Sequence, residues 1–194
     1  MMKSPSSQLG RYYPATRQEW RQWLKDKHET SPGIWIIYYK KGSQKPRVSY
    51  DDAVEEALSF GWIDSTAHAL DEERYMQLFT PRKPNSTWSR LNKQRVEKLI
   101  KIGTMTPSGL EKIEIAKKNG SWSIMDDVEN LIVPDDLEIE FKKNKEARTN
   151  YNNFSNSVKK QVLWLIISAK RPDTRKRRIK KVIKALEKNE KPFK

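Results

Sequence analysis

The 194-residue chain reads as an α+β protein: a small antiparallel sheet with flanking helices, followed by an all-helical C-terminal module. Three observations predict this. Ile34 to Tyr39, IWIIYY, is wholly aromatic and β-branched, the composition of a buried central strand. Trp62 to Ala69 and Tyr75 to Thr80 form a second and third strand stretch, joined around Leu70-Asp71-Glu72-Glu73 as an antiparallel pair. Beyond Pro134 every periodic stretch has helical spacing. The boundary falls where the pattern lapses after Ser121, so residues 1–127 are expected to form the α+β region and 128–194 the helical module.

The elements follow in order. Thr16-Arg17-Gln18-Glu19 is a capping box that opens a helix carrying Trp20, Trp23 and Leu24, which should stop before Ser31-Pro32-Gly33. The IWIIYY strand gives way to a polar turn from Lys40 to Arg47. From Asp51 to Phe60, Ala53, Val54, Ala57 and Leu58 share one helical face, and Gly61 suits a left-handed cap. After the strand pair, Pro81-Arg82-Lys83-Pro84 cannot be helical. Ser86 or Thr87 is then expected to cap a helix with apolar positions Trp88, Leu91, Val96, Leu99 and Ile100, ended by Gly103. Thr106-Pro107 starts a shorter helix with Leu110, Ile113 and Ala116, closed at Asn119-Gly120. In the C-terminal module, helices are expected over Leu137 to Phe141, Tyr151 to Phe154, Val158 to Ile167 and Ile179 to Leu186.

Composition bounds the function. A chain of this length buries roughly 70% of its unfolded surface and needs no covalent staple. Cysteine is absent, which excludes disulfides, thiolate metal sites and Cys nucleophiles and fits a reducing compartment. No apolar run approaches the roughly 20 residues of a membrane span, and the start MMKSPSSQLGRYYP lacks the apolar core of a secretory signal, so the cytoplasm is the expected location. The net charge of +14 is uneven: from Val128 to Lys194 there are 18 Lys/Arg against 9 Asp/Glu. That asymmetry fits an anionic partner, and equally a solvated, soluble surface.

Several stretches in collinear order carry a family resemblance. These are Trp23-Leu24 with His28, SPGIWIIYYKK, VSYDDAVEEALSFGWID, LDEERYMQLFTPRKPNSTWSRLN, MTPSGL, VPDDL and SAKRPDTRKRRI. From about Thr16 to Leu186 the chain resembles the YdeI/OmpD-associated protein family, with residues 128–194 similar to the small helical module after which that family is labelled. The resemblance implies a role in protection against bacteriocins or envelope stress, and brings no catalytic residue or cofactor. The chain departs from the family's usual pattern at Ser59, where Cys often stands, and at Ser65, where Gly often follows. A thiol-based activity in relatives would not transfer.

Residues 60–92 hold the densest chemistry. Arg82, Lys83 and Arg90 bracket an expected helix start near Ser86 to Trp88, where unsatisfied amides and the positive end of the dipole favour an anion. Arg82 offers bidentate contacts and Ser86 a hydroxyl. By strand alternation Trp62 and Asp64 share a face, so Trp62 and Trp88 are expected to wall the site and Asp64 to position the ligand. The plainer alternative pairs Arg82 with Asp64 or Asp71. Trp35, Trp62 and Trp88 with Tyr38 and Tyr75 fit either a stacking surface at one end of the sheet or the filling of a core, and bulk favours the core.

Other chemistries lack support. His28 and His68 are the only histidines, no metal-ligand spacing surrounds them, and no nucleophile elbow supports a triad from Ser59, His68 and Asp64. No metal site and no cofactor is expected. Lys170 to Lys188 holds ten Lys/Arg and two acids, a basic helical face suited to phosphate backbones rather than base reading, with Arg171, Arg175, Arg177, Arg178, Lys181 and Lys184 as its contacts. The reading that results is a non-enzymatic cytoplasmic binding protein with a small-anion site. Non-specific nucleic-acid binding through the C-terminal helix, or an enzyme with a Trp/Asp/Arg-lined pocket, are the alternatives. Oligomeric state is not encoded in these patterns.

Overall fold

The computed structural model describes residues 9–193, so most of the opening stretch read above for a secretory signal lies outside the described residues. The chain forms two compact units, one running to Ser121 and the other from Trp122.

The first unit comprises β1 (Arg11–Tyr12), α1 (Arg17–Lys27), β2 (Ile34–Tyr39), a 3-10 turn (Lys41–Ser43), α2 (Tyr50–Ser59), β3 (Trp62–Ala69), β4 (Arg74–Pro81), α3 (Arg90–Lys101) and α4 (Pro107–Lys118). The sheet order is β1-β2-β4-β3. The three long strands are antiparallel, and the two-residue β1, which carries too short a pattern to be read from sequence, pairs parallel to β2. β2 sits inside the sheet, as its composition requires, between β1 and β4.

Register decides which residues meet. Residues directly opposite in antiparallel strands share a face. Ile36, Tyr38, Tyr75, Gln77, Phe79, Asp64 and Trp62 therefore fall on one face, and Trp35, Met76, Leu78 and His68 on the other. The first face carries the core: Trp20 of α1 meets Phe79 edge-on with ring centres 5.5 Å apart, and its indole donates to the Ala53 carbonyl of α2 at 3.0 Å. Trp35, Trp62 and Tyr38 are buried, as the core reading has it, and the alternative stacking surface at one end of the sheet does not form. Tyr38 stacks on Tyr75, whereas Trp35, three residues from Tyr38, points to the opposite side against His68. Trp62 pairs with Pro81 at the far end of β4 from Tyr75, about 20 Å along the strand.

Helix boundaries show where local chemistry prevails. Thr16 caps α1 by accepting from the Glu19 amide at 3.2 Å, and Glu19 reaches back to the Ala15 amide, one residue earlier than a standard capping box. The helix ends at Lys27, four residues before the predicted Ser31-Pro32-Gly33 stop. α3 begins later than expected: Ser89, not Ser86 or Thr87, is its N-cap and accepts from the Asn92 amide. Trp88 thus precedes the helix, and the buried face rests on Val96 and Leu99 while Leu91 and Ile100 are exposed. In α4 the buried side is Gly109, Ile113 and Ala116, and Leu110 faces outward.

The second unit comprises α5 (Asp126–Glu129), α6 (Asp135–Lys143), α7 (Lys145–Asn153), α8 (Asn156–Ile167) and α9 (Pro172–Glu187). The four-residue α5 lies in the stretch whose periodicity lapses. Leu137, Phe141, Val162, Leu163, Val182 and Leu186 are among the residues of its core. α9 contributes Ile179, Val182 and Leu186. Among the described residues no helix is long and apolar enough to cross a membrane.

Candidate functional site

One backbone bond follows the end of β4: the Arg82 amide donates to the Gly61 carbonyl at 2.9 Å, which fixes where the Arg82 side chain starts. Pro84, with no amide to give, then breaks the ladder, and the Ser86 amide closes a turn onto the Lys83 carbonyl. Asn119 and Ser121 pin that turn by donating to the Pro84 carbonyl at 2.8 and 3.2 Å. The chain after the turn folds over the arginine: Nη1 donates to the Thr87 carbonyl at 2.9 Å, and the guanidinium carbon lies 3.7 Å from the centre of the Trp88 ring.

Arg82 is consequently 3% exposed. Its Nε is buried without a hydrogen-bond partner, and among the described residues no carboxylate stands within ion-pair distance of it. Burial pulls its pKa down to about 10, with the field of Asp64 acting in the opposite direction. A cation over an indole face gains about 2 kcal/mol or more when desolvated, less than the several kcal/mol that removing an ion from water costs.

The rest of the unit handles buried charge differently. Glu55 and Glu56 on α2 are 7% and 3% exposed. Glu56 binds Arg17 at 2.6 Å and Arg21 at 2.5 Å, and Glu55 binds Arg17 at 3.1 Å and Lys98 at 2.8 Å. Both buried acids carry two counterions. Among the described residues Arg82 carries none.

The other predicted residues are placed as follows. Asp64 is half-buried, and its Oδ2 accepts from the Tyr50 hydroxyl at 2.8 Å and from Gln77 Nε2 at 3.0 Å. It does not pair with Arg82, and Asp71 is taken by Arg74 at 2.6 Å. Trp62 is 1% exposed, edge-on to Trp23, and donates from its indole to the His28 carbonyl at 3.1 Å. Trp88 is also 1% exposed. Neither indole walls an open hollow: Trp62 is core, because its face of the sheet is the one α1 covers, and Trp88 is the platform under Arg82. Lys83 is exposed and Ser86 half-buried in the pinned turn, and Arg90 is the exposed first residue of α3.

Three residues lie next to Asp64, of which Tyr50 and Gln77 were not singled out from sequence and Tyr38 was read only as a stacking or core aromatic. Tyr50 opens α2 behind its Ser49 cap, and burial first, then its bond to Asp64, pushes its hydroxyl up to about 12. Gln77, 7% exposed, also donates to the Ser65 carbonyl at 2.8 Å across the irregularity in β3 between Asp64 and Ala67. Tyr38 is fully buried, with a hydroxyl that has no partner, and burial raises its pKa. The available signal was Gln77 itself, an amide inside the apolar run YMQLF.

The histidines serve the fold. His28 engages the Leu24 carbonyl through Nδ1 and the Ser108 hydroxyl through Nε2, and its ring meets Phe60. His68 lies against Trp35. Among the described residues no group of three or more metal-ligating side chains is assembled.

In the second unit, two of the six predicted phosphate contacts are committed internally. Arg175 forms a bidentate pair with Asp136, at 2.6 and 2.8 Å, and Arg178 donates to the Leu165 carbonyl at 2.7 Å and to Ser168, holding the last turn of α8. Arg171, Arg177, Lys181 and Lys184 are exposed.

The chain thus combines a four-stranded α+β unit, with Arg82 buried just beyond the end of β4, and a second unit that is helical among the described residues. The chain belongs to the family described as Domain of unknown function (DUF8412), whose model matches residues 12–112. Residues 130–189 match a second family, described as Bacteriocin-protection, YdeI or OmpD-Associated. That match covers the C-terminal part alone, not the nearly full-length stretch over which the resemblance was drawn. No curated protein and no solved structure matches the chain significantly.

Proposed function

We propose that the protein is a binding protein whose first unit takes a small anion at Arg82. The observation that carries this reading is the contrast between two kinds of buried charge: Glu55 and Glu56 are neutralised by cations, whereas the buried Nε of Arg82 has no hydrogen-bond partner and, among the described residues, the guanidinium has no counterion. A phosphate or carboxylate oxygen on that guanidinium makes the short, charge-assisted bonds that arginine is shaped for. Lys83 and Ser86, in the same turn, supply further donors. Cysteine-free composition supports a cytoplasmic setting, and the description of the C-terminal family supports a protective role.

The test is thermal unfolding of the full chain with phosphate, sulfate and small carboxylates, compared with Arg82→Met. A ligand of the folded state at a hundred times its Kd adds about 2.7 kcal/mol of stability, so at least one anion should raise the wild-type Tm by several degrees. Arg82→Met removes an unpaired buried charge but also the bond to the Thr87 carbonyl, so without anion it should melt within about 1–3 kcal/mol of wild type, and it should not respond when anion is added. Equal responses in the two proteins, or none in wild type, would overturn the reading.

A further inference from the structure

The side-chain bonds of α9 set two of its cations apart from the rest. Arg175 and Arg178 point inward and hold Asp136 and the end of α8. Arg177, Lys181, Lys184 and Lys188 recur at i, i+4, i+7 and i+11, a spacing that places them along one face of the helix. All four are exposed, and none makes an ion pair or side-chain hydrogen bond among the described residues. Lysines elsewhere in the same unit do: Lys143 pairs with Glu140 at 2.7 Å and Lys160 with Glu129 at 2.6 Å. The one acid of α9 near the azimuth of the four cations, Asp173, stands in the first turn, where it answers the helix dipole.

The geometry points to a nucleic-acid backbone site on α9, formed by Arg177, Lys181, Lys184 and Lys188 and taking a run of phosphodiesters without regard to sequence. Eleven residues at 1.5 Å each make a stripe about 16 Å long, which spans about five phosphates of one duplex strand. The cations are mostly lysines, point charges that neutralise phosphates without the fork geometry that reads base edges. A membrane surface fits less well. Helices that lie on bilayers sink an apolar face into them, and the apolar face of α9, Ile179, Val182 and Leu186, is already buried. The site is independent of Arg82.

Fluorescence anisotropy of the full chain with a labelled mixed-sequence DNA duplex tests this. Neutralising four phosphates gives a slope of log affinity against log salt of about −3.6, which is about a 150-fold loss between 50 and 200 mM salt. The double variant Lys181→Gln/Lys184→Gln should flatten the slope by about 1.8, with an unchanged thermal melt. The exposed pair Lys25→Gln/Lys27→Gln on α1 and the Arg82→Met variant should leave it unchanged, so this result and the anion result fail separately. A scrambled duplex should bind equally well. No binding, a flat salt response, or equal loss in the α1 control overturns the proposal. Binding of anionic phospholipid vesicles through Lys181 and Lys184 in preference to the duplex replaces nucleic acid with a membrane surface and also overturns it.

Discussion

Trp62→Ala is expected to destabilise the first unit by about 3–5 kcal/mol, the range for truncating a fully buried aromatic. Trp62 is 1% exposed, packs edge-on to Trp23 and anchors the end of α1 by donating to the His28 carbonyl. Its removal leaves a large void and an unsatisfied carbonyl. Trp62→Phe retains most of the volume and loses the indole bond, so its cost should fall to about 1–2 kcal/mol. Urea unfolding at equilibrium measures both. The Phe variant should keep the wild-type thermal response to anions, because Trp62 packs in the core rather than against Arg82. A cost below about 1 kcal/mol for the Ala variant would return Trp62 to the edge of an open cleft.

The second large effect is at Gly109. It lies in the first turn of α4, where that helix docks on the end of α2: the Thr106 hydroxyl donates to the Ser59 carbonyl at 2.7 Å, and the Thr106 amide donates to the same oxygen at 3.1 Å. A Cβ on Gly109 would stand 2.3 Å from the Ser59 carbonyl oxygen and 2.9 Å from that of Leu58. Both are backbone atoms, so relief requires α4 to move as a body. Gly109→Val should therefore cost about 3 kcal/mol, the upper part of the range for overpacking. Gly42→Ala is the control, since nothing lies within 4 Å of its added carbon and it should change stability little. A neutral Gly109→Val would show that the two helices are not in close contact.

The fold was legible where one physical signal dominated. The IWIIYY strand lies at its predicted residues because β-branched and aromatic side chains fit a surface buried on both faces. In the second unit, helices lie at each of the four expected stretches, but with shifted bounds: α7 runs Lys145–Asn153 where Tyr151 to Phe154 is expected, α9 starts at Pro172 ahead of Ile179, and α5 falls where the periodicity lapses. Where two signals competed, position slipped. Ser86, Thr87 and Ser89 are all competent caps, and the choice fell to Ser89 because Thr87 and Trp88 are held against the Arg82 guanidinium, a demand that no local signal marks.

The candidate site was legible only in part. Sequence brought Arg82, Lys83 and Ser86 into one turn and put Asp64 and Trp62 on one face. It could not show that both Trp62 and Trp88 are buried, because an indole flanking a charged turn reads identically as wall or as core. It could not assign Tyr50 and Gln77 to Asp64 either, since those contacts cross from helix to strand over long sequence separations. On α9 the sequence counts ten cations from Lys170 to Lys188 but does not separate Arg175 and Arg178, which are spent inside the unit, from those left for a partner.

The most direct measurement is the side-chain NMR signal of the Arg82 Nε–H group during titration with phosphate and with the small carboxylates, assigned by its absence in Arg82→Met. An N–H with no acceptor that gains a charged oxygen moves strongly downfield, so the Arg82 signal should shift and saturate with the same midpoint as the thermal response. An Arg82 signal that stays in place at anion concentrations that stabilise the protein would contradict the account.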